Sequence, residues 1–307
     1  MKATKNNIKG SIILGVAALI WGLAFVAQSK AAEYLPPFTV NMFRSLIAAM
    51  VLYLLVKIMD KGKTTFFPQE KKERGMFYAG GIACGIMLAI ATNFQQFGID
   101  VYPKGVASEA RAGFITALYV ILVPIISSVF GKRISVFVWI GVIVATVGVY
   151  LLCFSGGFGG IYLGDVLVLI CAVAFSVHII AVDKYVGITG GIKLSCMQFF
   201  VAGIVSLILV FIFEIKSLTY DVAINAMPYI LYLAIMSSGV AYTLQIVGQK
   251  YAEPAVASIS MSLESVFAAL GGWVISGNML KSREILGCAF VFAAIIIAQA
   301  KDFKKKA

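Results

Sequence analysis

Long runs of apolar residues, separated by short polar breaks, follow one another along the whole chain. A helix needs about 20 mostly apolar residues to cross the hydrocarbon core of a bilayer. The runs are too long and too continuously apolar for the alternating strands of a membrane barrel. The pattern therefore predicts an all-α polytopic membrane protein with ten transmembrane helices. In chain order the predicted spans are 10–29, 37–58, 75–95, 104–130, 134–153, 162–182, 193–213, 227–249, 254–276 and 284–300.

The amino-acid composition supports this class and argues against several others. Of the 307 residues, 61% are hydrophobic and 13% are charged, whereas a soluble domain carries about 25% charged residues. The longest polar gap, DKGKTTFFPQEKKER (60–74), has the length of a loop rather than a domain. The five cysteines lie in or beside apolar runs, without the spacing of metal ligands. Because the sequence also lacks nucleotide-binding and metalloprotease motifs, we expect no cofactor, no metal site and no enzymatic activity.

Basic residues are concentrated on one side of the predicted membrane. With the N-terminus in the cytoplasm, the cytoplasmic segments hold 18 of the 25 lysines and arginines, the external segments hold five, and Arg44 and Arg111 lie within spans. Cytoplasmic loops of membrane proteins carry such an excess. The net charge of +11 therefore reports topology and does not indicate a nucleic-acid partner. We expect a multi-pass protein of the cell (plasma or inner) membrane with both termini in the cytoplasm.

The second half of the sequence repeats the first. Shifted by 154 positions, AALIWGLAFVAQ (17–28) falls on CAVAFSVHIIAV (171–182). Shifted by 150, NFQQFGIDVYPKGVAS (93–108) falls on TLQIVGQKYAEPAVAS (243–258). We therefore expect two five-helix repeats, 10–153 and 162–300. Because five is an odd number, the second repeat enters the membrane from the opposite side, and inverted repeats of this kind are typical of secondary transporters.

Five stretches carry a resemblance to a known family. They are LIWGLAFVAQ (19–28), NMFRSLIAAM (41–50), FITALYVILVPIISSVFGKRIS (114–135), SLESVFAALGGWVISGNML (262–280) and GCAFVFAAIIIAQ (287–299). As two tandem copies they resemble the EamA family of the drug/metabolite transporter superfamily. The resemblance implies a ten-helix secondary transporter with a central cavity, away from which the fifth and tenth spans pack. Many similar members export amino acids or related metabolites, and others import. Lys132 and Asn278 stand where family members often carry an acid.

Two ionisable residues within the spans are the main candidates for substrate binding. Glu264 lies about ten residues into the ninth span, about 15 Å deep at 1.5 Å per residue and near the middle of a core about 30 Å thick. Such groups usually face a cavity or a partner, so we expect Glu264 to bind substrate or a coupling proton; packing as a protonated residue is the alternative. The shift of 150 matches Glu264 with Phe114, and Arg111 lies three residues before Phe114 in the fourth span. We expect both side chains in one cavity, and snorkelling to the interface is the alternative for Arg111.

Seven uncharged residues complete the candidate binding site. Amides and phenols suit a polar small molecule, although hydrogen bonds between helices are an equal alternative for the amides. For the single histidine a packed, hydrogen-bonded role is the favoured alternative, and for Arg44 we expect a structural anchor. The candidates are Trp21, Asn93, Gln96, Tyr119, His178, Tyr242 and Gln245.

The function that fits these features is secondary active transport, most simply export, of small polar metabolites such as amino acids. We expect alternating access through a cavity lined by the first, third, fourth, sixth, eighth and ninth spans. A passive facilitator or an importer remains an alternative, and an intramembrane lipid-modifying enzyme is a weaker one because no catalytic groups cluster in the sequence. The expected partners are a small-molecule substrate and the lipid bilayer; protons as coupling ions and a homodimeric partner stay open.

Overall fold

A computed structural model describes residues 7–59, 66–103, 108–153, 161–215, 220–276 and 282–298 of the chain. Throughout these residues the regular structure is helical, as predicted from the apolar runs. Two π-helical segments, Val210–Glu214 and Tyr232–Ala241, continue or join α-helices. The α-helices are α1 (Asn7–Ala32), α2 (Pro37–Met59), α3 (Lys71–Asp100), α4 (Ser108–Ala117), α5 (Tyr119–Val129), α6 (Val136–Cys153), α7 (Leu163–Thr189), α8 (Gly191–Leu209), α9 (Tyr220–Leu231), α10 (Tyr242–Tyr251), α11 (Pro254–Met261), α12 (Leu263–Ser276) and α13 (Ser282–Ala298).

The apolar segments in the structure correspond to the ten predicted spans. Within the described ranges, seven helical segments are long and apolar enough to cross a membrane, and three shorter ones are apolar. The fourth predicted span consists of α4 and α5, the eighth of α9, a π-helical segment and α10, and the ninth of α11 and α12. The all-helical, multi-span fold class is therefore confirmed. Asn278, one of the two departures from the family pattern, lies outside the described residues.

The fourth and ninth spans are each interrupted by one residue. Leu118 separates α4 from α5, and Ser262 separates α11 from α12; both have φ −61° and ψ −12°. This ψ is closer to that of a 3₁₀ turn than to that of an α-helix. Accordingly, the amide of Leu118 donates to the carbonyl of Ile115, and that of Ser265 donates to the carbonyl of Ser262. Each interruption is therefore a short 3₁₀-like turn within its span.

Many polar side chains of the bundle are buried and many large apolar ones are exposed, the reverse of the usual distribution in a soluble protein. Polar side chains such as those of Gln96, Gln198 and Gln249 are fully buried, whereas Phe213 and Ile296 are more than 60% exposed. In lipid, apolar groups can face the solvent and polar groups must find partners inside the protein. The polar side chains are therefore available to a site within the bundle.

Glycines allow helices from the two halves to cross closely at both ends of the bundle. We call the end where α1 begins the terminal end and the end where α1 finishes the opposite end. At the opposite end, a methyl group added to Gly164 of α7 would lie 2.7 Å from the carbonyl oxygen of Gly98 of α3. At the terminal end, a methyl group added to Gly10 of α1 would lie 3.0 Å from the carbonyl oxygen of Gly248 of α10. The shift of 150 matches Gly98 with Gly248, and the shift of 154 matches Gly10 with Gly164.

Because α3 and α7 cross closely, we expect one added methyl group at this crossing to lower the free energy of unfolding. Gly164→Ala should lower the free energy of unfolding by about 1–3 kcal/mol, because the new methyl group meets backbone and the ring of Tyr102, which must shift. Gly75→Ala is the matched control, since nothing lies within 4 Å of its added methyl group; it should raise helix stability by about 0.5–1 kcal/mol. Thermal unfolding of the purified protein in detergent measures both. Equal stability of the two variants would contradict the close crossing.

Candidate functional site

A narrow cavity lies in the middle of the bundle, between helices of both halves. The volume of the cavity is about 40 Å³. That room suffices for about three waters, at about 10–15 Å³ each. None of the described side chains of α6 or α13 lines it; these two helices pack against each other. The cavity is lined by Trp21, Ala24, Phe25, Gln28, Arg44, Gln95, Thr116, Tyr119, Phe175, Ile179, Ser237, Tyr242, Gln245, Met261 and Glu264.

Arg44 of α2 supplies a positive charge to this cavity, which the sequence did not indicate. Its side chain is buried, its Nε donates to the hydroxyl of Ser238 at 3.1 Å, and its Nη2 donates to that of Ser237 at 3.2 Å. Both acceptors are neutral, and Nη1 has no hydrogen-bond partner among the described residues. Since a guanidinium stays charged and carries five N–H donors, Arg44 has donor capacity left for an anionic group in the cavity.

Glu264 of α12 supplies the acid, as predicted from its depth in the ninth span. Its Oε1 accepts a hydrogen bond of 2.9 Å from the phenol of Tyr119, which begins α5. Tyr119 directly follows the interruption at Leu118, and Glu264 lies two residues after the interruption at Ser262. A methyl group added to Gly22 of α1 would lie 2.8 Å from the carbonyl oxygen of Glu264. Tyr119 and Glu264 both line the cavity, where α1 packs closely against α12.

Three pairs of cavity residues are matched by the repeat. The shift of 154 matches Trp21 with Phe175 and Phe25 with Ile179, and the shift of 150 matches Gln95 with Gln245. Gln95 was missing from the predicted site, although its match with the predicted Gln245 was a signal that could have found it. The side chain of Gln95 donates to the hydroxyl of Thr116 at 3.1 Å. Arg44 and Glu264 have different residues at their matched positions, so the two charges break the symmetry of the walls.

Aromatic rings and amides surround these charges. The indole nitrogen of Trp21 donates to the carbonyl of Ser237 at 3.3 Å, and the ring packs edge-on against Tyr242 with centroids 4.8 Å apart. Gln245 donates to Gln249 at 3.2 Å, and its own Oε1 has no partner among the described residues. Trp21, Tyr119, Tyr242 and Gln245 were all predicted as site residues, and the structure brings them together with Glu264.

Three predicted residues lie away from the cavity lining. Asn93 donates to the hydroxyl of Ser206 at 2.9 Å and contributes to a separate, otherwise apolar cleft beside α3 and α8. Gln96 donates to the carbonyl of Gln28 at 3.1 Å. His178 is fully buried, with its Nε2 3.0 Å from Oε1 of Gln198. The contacts of these three side chains are those of interhelical hydrogen bonds, the alternative that the sequence left open.

Arg111 is paired with an acid that lies far away in the sequence. Its Nη2 is 2.6 Å from Oδ2 of Asp165, its Nε donates to Oδ1 at 3.0 Å, and it is not among the cavity-lining residues. The structure therefore does not bring Arg111 and Glu264 together. The phenol of Tyr102 also donates to Asp165, at 2.7 Å. Burial, together with this hydrogen bond, raises the pKa of Tyr102, so the phenol remains a donor.

A structural role for His178 predicts coupled effects on stability. His178→Leu or Gln198→Leu alone should lower the free energy of unfolding by about 1–3 kcal/mol, because each leaves the partner's buried polar atom unsatisfied. The double variant should recover most of this loss, since both polar groups are then gone. Chemical denaturation of the four proteins in detergent gives the coupling energy. Additive losses would show that the two side chains do not depend on each other.

Comparison with known proteins gives a consistent assignment. The fold is similar to a solved crystal structure with a TM-score of 0.76, over 97% of this chain and 99% of that chain, at 18% sequence identity. A relative from Archaeoglobus fulgidus, described as an uncharacterized transporter, is 29% identical over 94% of this chain and 85% of its own. Another from Clostridium kluyveri, with the same description, is 24% identical over 97% of both chains. The EamA-like transporter family model matches residues 8–154 and 162–299. The chain therefore belongs to the EamA-like transporter family, and it is a multi-span membrane protein.

Proposed function

We propose that this protein is a secondary active transporter that exports small zwitterionic metabolites, amino acids above all. The observation that carries the proposal is that Arg44 and Glu264 line the same cavity. The family membership makes transport the function class. The charges of the cavity then suggest what kind of molecule is carried.

A zwitterion satisfies both charges of the cavity at once. No ion pair joins Arg44 and Glu264 among the described residues, because their charged atoms are not within 4.0 Å of each other. A carboxylate accepts hydrogen bonds from a guanidinium with favourable geometry. An ammonium group of the same molecule donates to the carboxylate of Glu264. Leaving a charge unpaired within the membrane is costly, so a ligand with both groups is favoured over one with a single charge.

The walls suggest how the rest of the molecule is held. Trp21, Phe25, Phe175 and Tyr242 give aromatic surface, while Gln95 and Gln245 give amides. Small-molecule sites commonly combine apolar walls with a few polar groups that fix orientation. The volume of the cavity, which is sufficient for about three waters, is smaller than an amino acid requires. The helices must therefore separate at one end of the bundle to admit the substrate.

Two inverted halves provide a mechanism for this separation. We propose that residues 10–153 and 162–300 are inverted repeats that rock around the cavity. The matched cavity pairs and the matched glycine crossings at opposite ends support this relation. The excess of lysine and arginine at the terminal end supports a cytoplasmic location for that end and for both termini, in the cell membrane. Import and passive facilitation are the competing modes for the same cavity.

The roles of Arg44 and Glu264 predict which ligand groups each variant stops recognising. Arg44→Gln should weaken binding of an amino acid about 10- to 100-fold, the effect of losing one hydrogen-bonded charge. It should not weaken binding of the corresponding amine, which lacks the carboxylate. Glu264→Gln should give the reverse pattern with the corresponding carboxylic acid. Ligand-induced stabilisation of the purified protein against heat measures the binding.

Two comparisons make this binding experiment decisive. The control is Lys30→Gln, which removes an exposed positive charge 2.7 Å from Glu33 and outside the cavity; it should leave binding unchanged. An amino acid that stabilises Arg44→Gln and the unmodified protein equally would contradict the proposed site. A set of metabolites in which only compounds with a single charge stabilise the protein would contradict the substrate class.

Glu264 as the coupling residue predicts a separation of two kinds of flux. In proteoliposomes, a proton gradient should drive uphill movement of substrate by the unmodified protein. Glu264→Gln cannot release a proton, so gradient-driven accumulation should fall to the background level. Exchange of labelled for unlabelled substrate across the membrane, which needs no proton movement, should continue where binding persists. Uphill transport that survives in Glu264→Gln would contradict proton coupling at this residue, and equilibration without accumulation in the unmodified protein would indicate a passive facilitator.

A further inference from the structure

We propose that Arg111 and Asp165 form the gate at the opposite end of the bundle, and that this gate is stronger than its counterpart at the terminal end. As a result, the substrate-free protein rests with its cavity open toward the cytoplasm. This inference rests on the proposed function, because it concerns how the two halves move around the cavity. It assigns Arg111 to the control of access instead of to contact with the substrate.

The gate consists of a compact polar group, the Asp165 cluster, formed by Tyr102, Arg111, Tyr162 and Asp165. Asp165 accepts two hydrogen bonds from Arg111, at 2.6 and 3.0 Å, and one from the phenol of Tyr102 at 2.7 Å. The backbone amide of Tyr162 donates to the same carboxylate at 2.9 Å, which caps the start of α7. The guanidinium of Arg111 lies 4.8 Å from the centre of the Tyr162 ring. Every acceptor position of the carboxylate therefore has a donor, and the ion pair is bidentate.

The Asp165 cluster joins the two halves of the protein. Tyr102 and Arg111 belong to the first half, at the end of α3 and in α4, whereas Tyr162 and Asp165 belong to the second half, at the start of α7. The side chains of the ion pair are only 9% and 11% exposed. Separating the halves at this end would break a buried, charge-assisted pair, which is costly when the charges are not satisfied elsewhere. The cluster thus opposes opening at the opposite end.

The repeat identifies the equivalent contact at the terminal end. The shift of 154 matches Asp165 with Ser11 of α1, and the shift of 150 matches Arg111 with Met261, next to Ser260 of α11. The hydroxyl oxygens of Ser11 and Ser260 lie 2.7 Å apart. The fourth and sixth spans thus meet at one end through an ion pair, and their repeat equivalents, the ninth and first spans, meet at the other end through a neutral hydroxyl pair. Neutral hydrogen bonds are about half as strong as charge-assisted ones.

Two further polar contacts between the halves at the terminal end each involve an exposed residue. Lys132 and Asp183, also from different halves, are 2.7 Å apart, but the lysine side chain is 46% exposed. The amide of Glu253 donates to the side chain of Asn7 at 3.1 Å, likewise at the surface. Exposed ion pairs contribute little because water and salt screen them. The terminal end therefore opens more readily, and export would begin from that orientation.

The rate at which a thiol in the cavity reacts from each side of the membrane measures which end of the bundle opens more readily. Thr116→Cys, in a protein whose five native cysteines are replaced, places a thiol on the cavity lining. Oriented membrane vesicles are treated with a membrane-impermeant maleimide on one side at a time, without substrate. The parent protein should react faster from the cytoplasmic side. Asp165→Asn and Arg111→Gln should each lower the ratio of cytoplasmic to external rates at least about tenfold, and Ser260→Ala should raise it.

The two gate variants distinguish the ion pair from the helix cap. Asp165→Asn alters both the ion pair and the cap of α7, whereas Arg111→Gln breaks the ion pair and leaves the cap intact. Both variants must therefore shift the ratio in the same direction. Glu33→Gln is the matched control, since it breaks an exposed pair with Lys30 within one half and should leave the ratio unchanged. Faster reaction of the parent from outside, or a shift in Asp165→Asn alone, would overturn the proposal.

Failure of the gate and failure of the transport proposal give different results. The labelling rates need no substrate, so they report the gate even where the ligand assignment to Arg44 and Glu264 is wrong. Conversely, an amino acid that protects the thiol from labelling while the gate variants keep the parent ratio would support the cavity and overturn the gate. Heat stability of each variant in detergent confirms that the compared proteins are folded.

Discussion

A guanidinium buried among apolar helices is the constraint around which the centre of this protein is arranged. Arg44 cannot lose its charge, and lipid offers it no partner. Two of its nitrogens donate to Ser237 and Ser238 from the π-helical segment of the eighth span, and Nη1 has no hydrogen-bond partner among the described residues. Glu264, which belongs to the second half of the chain, lines the same cavity. One of its carboxyl oxygens accepts a hydrogen bond from Tyr119. The resulting site holds a guanidinium and a carboxyl group that form no ion pair with each other, and the proposed zwitterionic substrate would interact with both.

The two halves have similar residues at several matched positions, whereas their charged residues differ. Matched residues supply the aromatic and amide walls, and matched glycines let α3 cross α7 and α1 cross α10 at opposite ends. A symmetric scaffold would open equally well in both directions. Under the proposed mechanism, differences at matched positions, such as Asp165 against Ser11, would make opening toward one side easier than opening toward the other. In this proposal, duplication would provide alternating access, and divergence between the halves would set what is bound and from which side.

Much of this architecture was predictable because it depends on one-dimensional properties of the chain. The length of apolar runs predicted the spans, the repeat predicted Trp21 and Gln245 as parts of matched structures, and the depth of Glu264 predicted its burial within the bundle. In the third span, however, prediction chose Asn93 and Gln96, while Gln95 lines the cavity. Adjacent residues of a helix differ by about 100° around its axis. Depth in the membrane does not say which of three neighbouring amides faces inward.

The sequence by itself determined the helical class, the number and order of the spans, the duplication and the resemblance to a transporter family. Only the tertiary structure decided that Arg44 shares the cavity with Glu264, and that Arg111 instead binds Asp165, 54 residues further along the chain. The physical reason is the range of the interactions. Hydropathy and the distribution of charged residues depend only on the order of residues along the chain, so they can be read from the sequence. The rotation of each helix and the partner of each buried charge depend on how distant helices pack, so they appear only when the bundle is assembled.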